Sequence, residues 1–153
     1  MKDVFLEITN HDELAAFFKL NYEELSKILY KYPTSYKYTS FEIPKKNGGT
    51  RQIKSPCKKL KKIQSMLKDV LYEIYPGRPS AFGFVKNRNI VDNSEKHLDK
   101  KYILNIDLKD FFVSIYFGRI KRLFMAKPFK FNSSISTILA QICCIDNSLP
   151  PVS

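Results

Sequence analysis

Residues 101–115, KYILNIDLKDFFVSI, constrain the fold more tightly than any other stretch, because a β-prone apolar run in them stops at a carboxylate. Tyr102, Ile103, Leu104 and Ile106 predict a short buried strand, and Asp107 falls where that strand meets a turn. Asp110, Phe111 and Phe112 follow at once, so acidic and aromatic side chains crowd one strand-to-helix corner. Together with the helices and hairpin elsewhere in the chain, this strand predicts an α+β architecture. A carboxylate at the strand end is open to solvent and to a metal. Mg²⁺ takes hard oxygen ligands, and one or two carboxylates with substrate phosphates hold it. An Asp ending a strand also commonly caps the next turn or helix, and the corner alone leaves both readings open.

The remaining elements are legible from periodicity and punctuation. Residues 11–19 and 21–31 predict two short helices, the second capped by Asn21 with Glu24 at the capping-box position and striped by Leu25, Ile28 and Leu29. Residues 36–43 and 50–54 predict a β-hairpin turning through Asn47, Gly48 and Gly49, which gathers Lys45, Lys46 and Arg51. Basic hairpins suit triphosphates and nucleic-acid backbones, Arg as a bidentate fork and Lys as a compact charge; a solvated surface turn is the plain alternative. Ser55 and Pro56 read as the N-cap and first position of a helix reaching about residue 75, where Pro76, Gly77, Arg78 and Pro79 stop it. Its apolar face is Leu60, Ile63, Leu67, Val70, Leu71 and Ile74, and Lys58, Lys59, Lys61, Lys62 and Lys68 fall opposite. A lysine face can merely keep a helix soluble, but its single sign favours a phosphate-tracking surface. Helices are predicted over residues 89–98, 117–126 and 133–145, the middle one exposing Arg119, Lys121 and Arg122, the last burying Ile135, Ile138, Leu139, Ile142 and Cys143. His97, without companions at ligand spacing, is given no role.

Composition narrows the function classes. The 153 residues carry 26 Lys and Arg against 15 Asp and Glu, a net charge of +11, which favours a polyanionic partner, nucleic acid before a membrane surface. Twelve Phe, nine Tyr and a hydrophobic fraction of 44% argue for a folded chain. The longest apolar stretch, within residues 132–145, falls well below the ~20 residues that span a bilayer, and the acidic N-terminus is no secretion signal. Three cysteines without a C-x-x-C pair fit reduced thiols in a cytoplasmic chain. No repeat, linker or Gly-rich phosphate loop is present.

Four segments then fall in an order that resembles one family. N-I-D-L-K-D-F-F-V-S-I is similar to the third conserved block of reverse transcriptases of the retron and group II intron type. Residues 41–56, FEIPKKNGGTRQIKSP, resemble the first block, residues 80–93, SAFGFVKNRNIVDN, the second, and Leu149 and Pro150 the opening of a fourth. The resemblance runs from about Tyr36 to the last residue. It implies a right-hand polymerase: a helical segment at 1–35, fingers at 36–100, and at 101–153 the first strand and helices of a palm. By the same resemblance Asp107 is the first catalytic carboxylate and metal ligand, joined by the backbone carbonyl of Leu108. Lys45 and Arg51 match residues over the incoming nucleotide's phosphates, and Phe112 matches the residue under its sugar that excludes a 2′-OH. Lys46, Lys58, Lys59, Lys61, Lys62, Lys86 and Arg88 would face nucleic acid. Phe111 would pack, and Asp110 would cap the following helix.

The implied chemistry is attack of a primer 3′-oxygen on the α-phosphate of a deoxynucleotide, directed by an RNA template and assisted by Mg²⁺. The sequence holds only part of that machinery. The family's Tyr-x-Asp-Asp hairpin is absent from the 153 residues, and Pro151, Val152 and Ser153 stand where Gln and Gly are expected. A frameshift, an internal deletion or a cut chain would each produce that ending. Three readings stay open: the N-terminal part of a reverse transcriptase, inactive alone; an RNA-binding module that kept the basic fingers; or one half of a split polymerase completed in trans. The template, the primer, and a retron, mobile-intron or antiviral-defence setting are not legible.

Overall fold

Asn side chains begin four of the helices, because their oxygens satisfy backbone N–H groups that the first turn leaves without partners. The computed structural model describes residues 1–45, 48–75 and 77–150; Lys46 and Asn47 of the hairpin turn, Pro76, and the closing Pro151, Val152 and Ser153 lie outside the described residues. Helix α1 spans Lys2–Leu6, α2 His11–Phe17 and α3 Tyr22–Ser26. Asn10 caps α2, and Asn21 and Glu24 form the expected capping box on α3. The predicted 21–31 helix does not run through as one α-helix: at Lys27–Lys31 it loosens into a π turn that still buries Ile28 and Leu29. A short α4, Thr34–Lys37, leads into the hairpin.

Strands β1, Tyr38–Pro44, and β2, Thr50–Pro56, pair antiparallel from Tyr38 opposite Pro56 to Pro44 opposite Thr50. Ser55 and Pro56 therefore do not start a helix. They complete the ladder opposite Thr39 and Tyr38, a strand end where a missing proline N–H is tolerated. Helix α5, Lys58–Ile74, begins instead after Cys57, which makes no side-chain cap. Helix α6 spans Ile90–Glu95 behind a second capping box of Asn89 and Asp92, shorter than the predicted 89–98. Helices α7, Phe117–Met125, and α8, Ser133–Cys143, close the order.

One core gathers side chains from both ends of the sequence. Phe5, Leu14 and Leu25 from the N-terminal helices, Leu60, Ile63, Leu67 and Val70 from α5, and Ile135, Leu139 and Ile142 from α8 are buried in a single cluster. Phe5 meets Phe131 edge-on at 5.1 Å, and Asn132, which caps α8, also donates from its side chain to Thr9 O at 2.8 Å. Gln64 ties three elements together, donating to Tyr38 Oη at 3.1 Å and to Ile142 O at 2.9 Å.

The predicted strand at residues 102–106 is not formed. That segment is irregular, and Tyr102, Leu104 and Ile106 are 82%, 83% and 73% exposed. A strand is stable only when a neighbour takes up its backbone hydrogen bonds, and the sheet of the described residues is two-stranded, β1 and β2 alone. The architecture is α+β, but its small sheet is the hairpin.

Candidate nucleotide and nucleic-acid surface

The hairpin end is built by backbone bonds rather than by its charged side chains. Lys45 N donates to Gly49 O at 3.0 Å and Gly48 N to Lys45 O at 3.2 Å. Gly48 and Gly49 stand at φ 84° and 80°, the left-handed region that glycine enters without strain. This leaves Lys45 and Arg51 exposed, Arg51 opposite Ile43 in the ladder. On α5, Lys58, Lys59, Lys61 and Lys62 are all exposed while Leu60 and Ile63 between them are buried, as helical spacing dictates. Among the described residues none of these four lysines has an ion-pair partner, so the positive face is uncompensated.

Segment 77–89 is lashed to α5. Tyr72 Oη donates to Phe84 O, and Lys86 Nζ stands 5.2 Å above the Tyr72 ring and 3.8 Å from Asp69, which Lys68 approaches at 3.6 Å. Arg88 donates from one guanidinium nitrogen to three carbonyls, Arg78 O at 3.1 Å, Pro79 O at 2.7 Å and Ala81 O at 2.5 Å, and stacks 5.1 Å from the Phe82 ring. These bonds brace the turn at residues 78–81. Sequence reasoning missed this because the carbonyls come together only in three dimensions.

Phe112 packs edge-on against Phe84 at 6.2 Å and against Phe111 at 5.3 Å, joining segment 77–89 to the segment that follows Asp107. It lines a cleft of about 1300 Å³ with Leu67, Leu71, Tyr72, Leu123 and Phe129. Four basic residues, Lys68, Arg78, Lys86 and Lys127, line the same cleft, as do Leu149 and Pro150. Leu149 is held there by its N–H to Ile115 O at 3.0 Å. Lys54 was also missed: it leaves the hairpin to pair with Asp146 at 2.7 Å, fastening β2 to the turn after α8.

Asp107 and Leu108 lie in the exposed irregular segment, away from any carboxylate cluster. No group of three or more His, Cys, Asp or Glu that could hold a metal occurs among the described residues. Asp107 and the Leu108 carbonyl are hard oxygen donors of the kind Mg²⁺ takes, and a single carboxylate of this sort holds the ion together with substrate phosphates or further ligands. Asp110 caps no helix. It takes a left-handed φ of 52° and bonds through its backbone, its carbonyl accepting from Ser114 N at 3.0 Å. Cys143 and Cys144 are unsuited to thiolate chemistry: burial, with Cys144 adding to it, pushes the Cys143 thiol up to about 12, and burial pushes the Cys144 thiol up to about 11. No helix of the described residues is long and apolar enough to cross a membrane.

Comparison with known proteins gives this surface its context. The profile of a family described as "Reverse transcriptase (RNA-dependent DNA polymerase)" matches residues 43–147. The chain is 37% identical over 89 residues to the retron Mx65 reverse transcriptase of Myxococcus xanthus, covering 58% of this chain and 21% of that protein. It is 28% identical over 145 residues to the retron Ec86 reverse transcriptase of Escherichia coli, covering 94% and 44%, and 34% identical over 120 residues to retron Ec73 reverse transcriptase from the same organism, covering 73% and 38%. The chain spans less than half the length of each of these relatives.

Proposed function

We propose, from the premise that this chain belongs to the reverse transcriptase family, that it forms the template- and nucleotide-handling front of a retron-type polymerase. In this reading residues 1–35 are a helical support, 36–100 the fingers and 101–153 the start of the palm. The carrying observation is the match over residues 43–147, a span within which Lys45, Arg51, the lysine face of α5, Asp107 and Phe112 all fall. Lys45 and Arg51 grip the triphosphate through charge-assisted bonds. Phe112, backed by Phe84, lies under the sugar and excludes a 2′-OH. Lys58, Lys59, Lys61 and Lys62, with Lys46, track the RNA template and primer backbones by charge, and Lys86 stands at the template's entry. Arg88 acts on nucleic acid through the turn it braces.

Asp107 and the Leu108 carbonyl offer one side of a metal clamp, and Mg²⁺ bound between complementary carboxylates would polarise the α-phosphate. Because the other carboxylates are not in these 153 residues, the chain alone has no polymerase activity, and a polymerase half carrying Tyr-x-Asp-Asp would complete it in trans. Primer extension with the purified chain on an RNA template, with Mg²⁺ and deoxynucleotides, is expected to give no product. Incorporation that disappears in Asp107→Ala would overturn this reading.

A second reading is favoured by one observation. Lys58, Lys59, Lys61 and Lys62 stand exposed on one face of α5 without ion-pair partners among the described residues, which suits an RNA-binding module. Tight RNA binding that falls steeply with salt and ignores Mg²⁺, with no rescue of synthesis by any added Tyr-x-Asp-Asp half, would select it.

A further inference from the structure

Residues 30–38 read YKYPTSYKY and hold four of the chain's nine tyrosines, with two lysines among them. Packing accounts for only part of this run. Tyr38 is buried and accepts a hydrogen bond from Gln64 at 3.1 Å, and Lys37 donates to Leu29 O, in the π turn, at 3.0 Å. Tyr32 and Tyr36 stand differently. They flank the start of α4 and pack on each other with ring centroids 4.9 Å apart at 51°, Tyr32 half-buried against the core and Tyr36 66% exposed. A ring anchored at the margin of the core therefore backs a ring that presents most of its surface to water. The surroundings are basic. Lys31 is exposed beside Tyr32 and makes no ion pair among the described residues. Cys57 N donates to Lys37 O at 2.7 Å, so α4 ends against the start of α5, where the exposed Lys58, Lys59, Lys61 and Lys62 follow.

We propose that Tyr36, backed by Tyr32, is a stacking platform for an unpaired base of single-stranded RNA whose phosphates run on to the lysine face of α5. The ligand is identified by the meeting of ring and charge. Every base has a π-face, so an exposed aromatic ring beside a basic surface takes a single strand with little regard to sequence. A duplex keeps its bases stacked on one another and offers the ring nothing, whereas lysines alone bind any phosphate chain. Ring and lysines together therefore favour unpaired strand over paired. The net charge of +11, with Lys31 and the α5 lysines close to the platform, makes a polyanion the complementary occupant. Tyr32 and Tyr36 lie outside residues 43–147, and Tyr32 belongs to the segment assigned above only a supporting role. The inference rests on the nucleic-acid reading proposed for this chain and adds to it a contact with base rather than phosphate.

Binding of end-labelled RNA by the 153-residue chain, Tyr36→Ala and Tyr36→Phe tests it, followed by anisotropy at several salt concentrations, with each variant's fold checked by circular dichroism. The probes are an unstructured strand of about 12 nucleotides, the same strand with its bases removed, and a fully paired hairpin. Tyr36→Ala is expected to bind the unstructured strand about tenfold more weakly, and Tyr36→Phe to stay within about twofold, because the ring and not the hydroxyl stacks. The base-free strand and the hairpin should bind all three proteins alike, and the salt slope should not change, since no phosphate contact is removed. The chain has no tryptophan, so tyrosine emission should fall on binding the unstructured strand and fall less in Tyr36→Ala. Undiminished binding by Tyr36→Ala, an equal loss on the hairpin or the base-free strand, or a slope that drops with the affinity would each overturn the platform while leaving the lysine face as a phosphate track. No RNA binding by the unaltered chain would overturn both the platform and the nucleic-acid reading beneath it.

Discussion

At the scale of single residues, Arg88 marks where sequence and structure part company. Its neighbourhood resembles a template-contacting block, yet its guanidinium serves three carbonyls of the turn at 78–81. These carbonyls are mostly near solvent, so Arg88→Ala is expected to cost about 1 kcal/mol in urea denaturation rather than the full penalty of orphaned buried acceptors. Limited proteolysis should quicken within 77–89, and the salt slope of RNA binding should stay unchanged. A slope that drops by about 1 with stability intact would make Arg88 a phosphate contact instead. Asn21 with Glu24 shows the opposite case, a cap legible from two residues because its geometry is local.

Among the elements, legibility followed the range of the forces involved. Helix α5 was readable because burial and exposure alternate along its own sequence, and the hairpin because Gly48 and Gly49 dictate the turn. The strand expected before Asp107 failed because pairing is a property of two segments, and among the described residues no second strand lies beside this one. Ser55 and Pro56 misled for the same reason, their cap signal yielding to a ladder with Thr39 and Tyr38. The end of α8 yields a prediction at this scale. Cys143 and Cys144 have thiols raised from 9.0 to about 12 and about 11, so above pH 9 the unfolded chain releases protons that the folded chain keeps. Fewer protons bound in the unfolded state means that stability falls as pH rises through that window. For Cys143 the slope approaches one proton, about 1.4 kcal/mol per pH unit. Burial of Tyr38, only partly offset by its bond from Gln64, raises its phenol above 10.0 and adds to the decline. Urea midpoints at pH 7, 9 and 10.5 should decrease in that order, and Cys143→Ala with Cys144→Ala should flatten the fall. Equal midpoints across the series would show that these thiols ionise as readily folded as unfolded.

For the whole molecule the governing quantity is the distribution of its net +11 charge. Asp146 neutralises Lys54, and Asp69 stands beside both Lys68 and Lys86, so acidic partners are placed at the cleft and the hairpin base while α5 keeps Lys58, Lys59, Lys61 and Lys62 bare. A solvating face would tolerate their removal. A nucleic-acid face would not, because each phosphate contact to a single strand contributes about 0.7 to the slope of log affinity against log salt. Replacing all four by Ala should therefore reduce that slope by as much as about 3, weaken binding across unrelated RNA sequences alike, and leave the core of Leu60, Ile63, Leu67 and Val70 folded. Titrations at several salt concentrations read the slope directly. If it is unchanged, the lysine face only keeps α5 in water, and the hairpin with Lys45 and Arg51 becomes the place to seek contact with the strand. If it falls while denaturation midpoints hold, the basic surface binds nucleic acid without the catalytic carboxylates, which means that the two tasks of the family are separable in this chain.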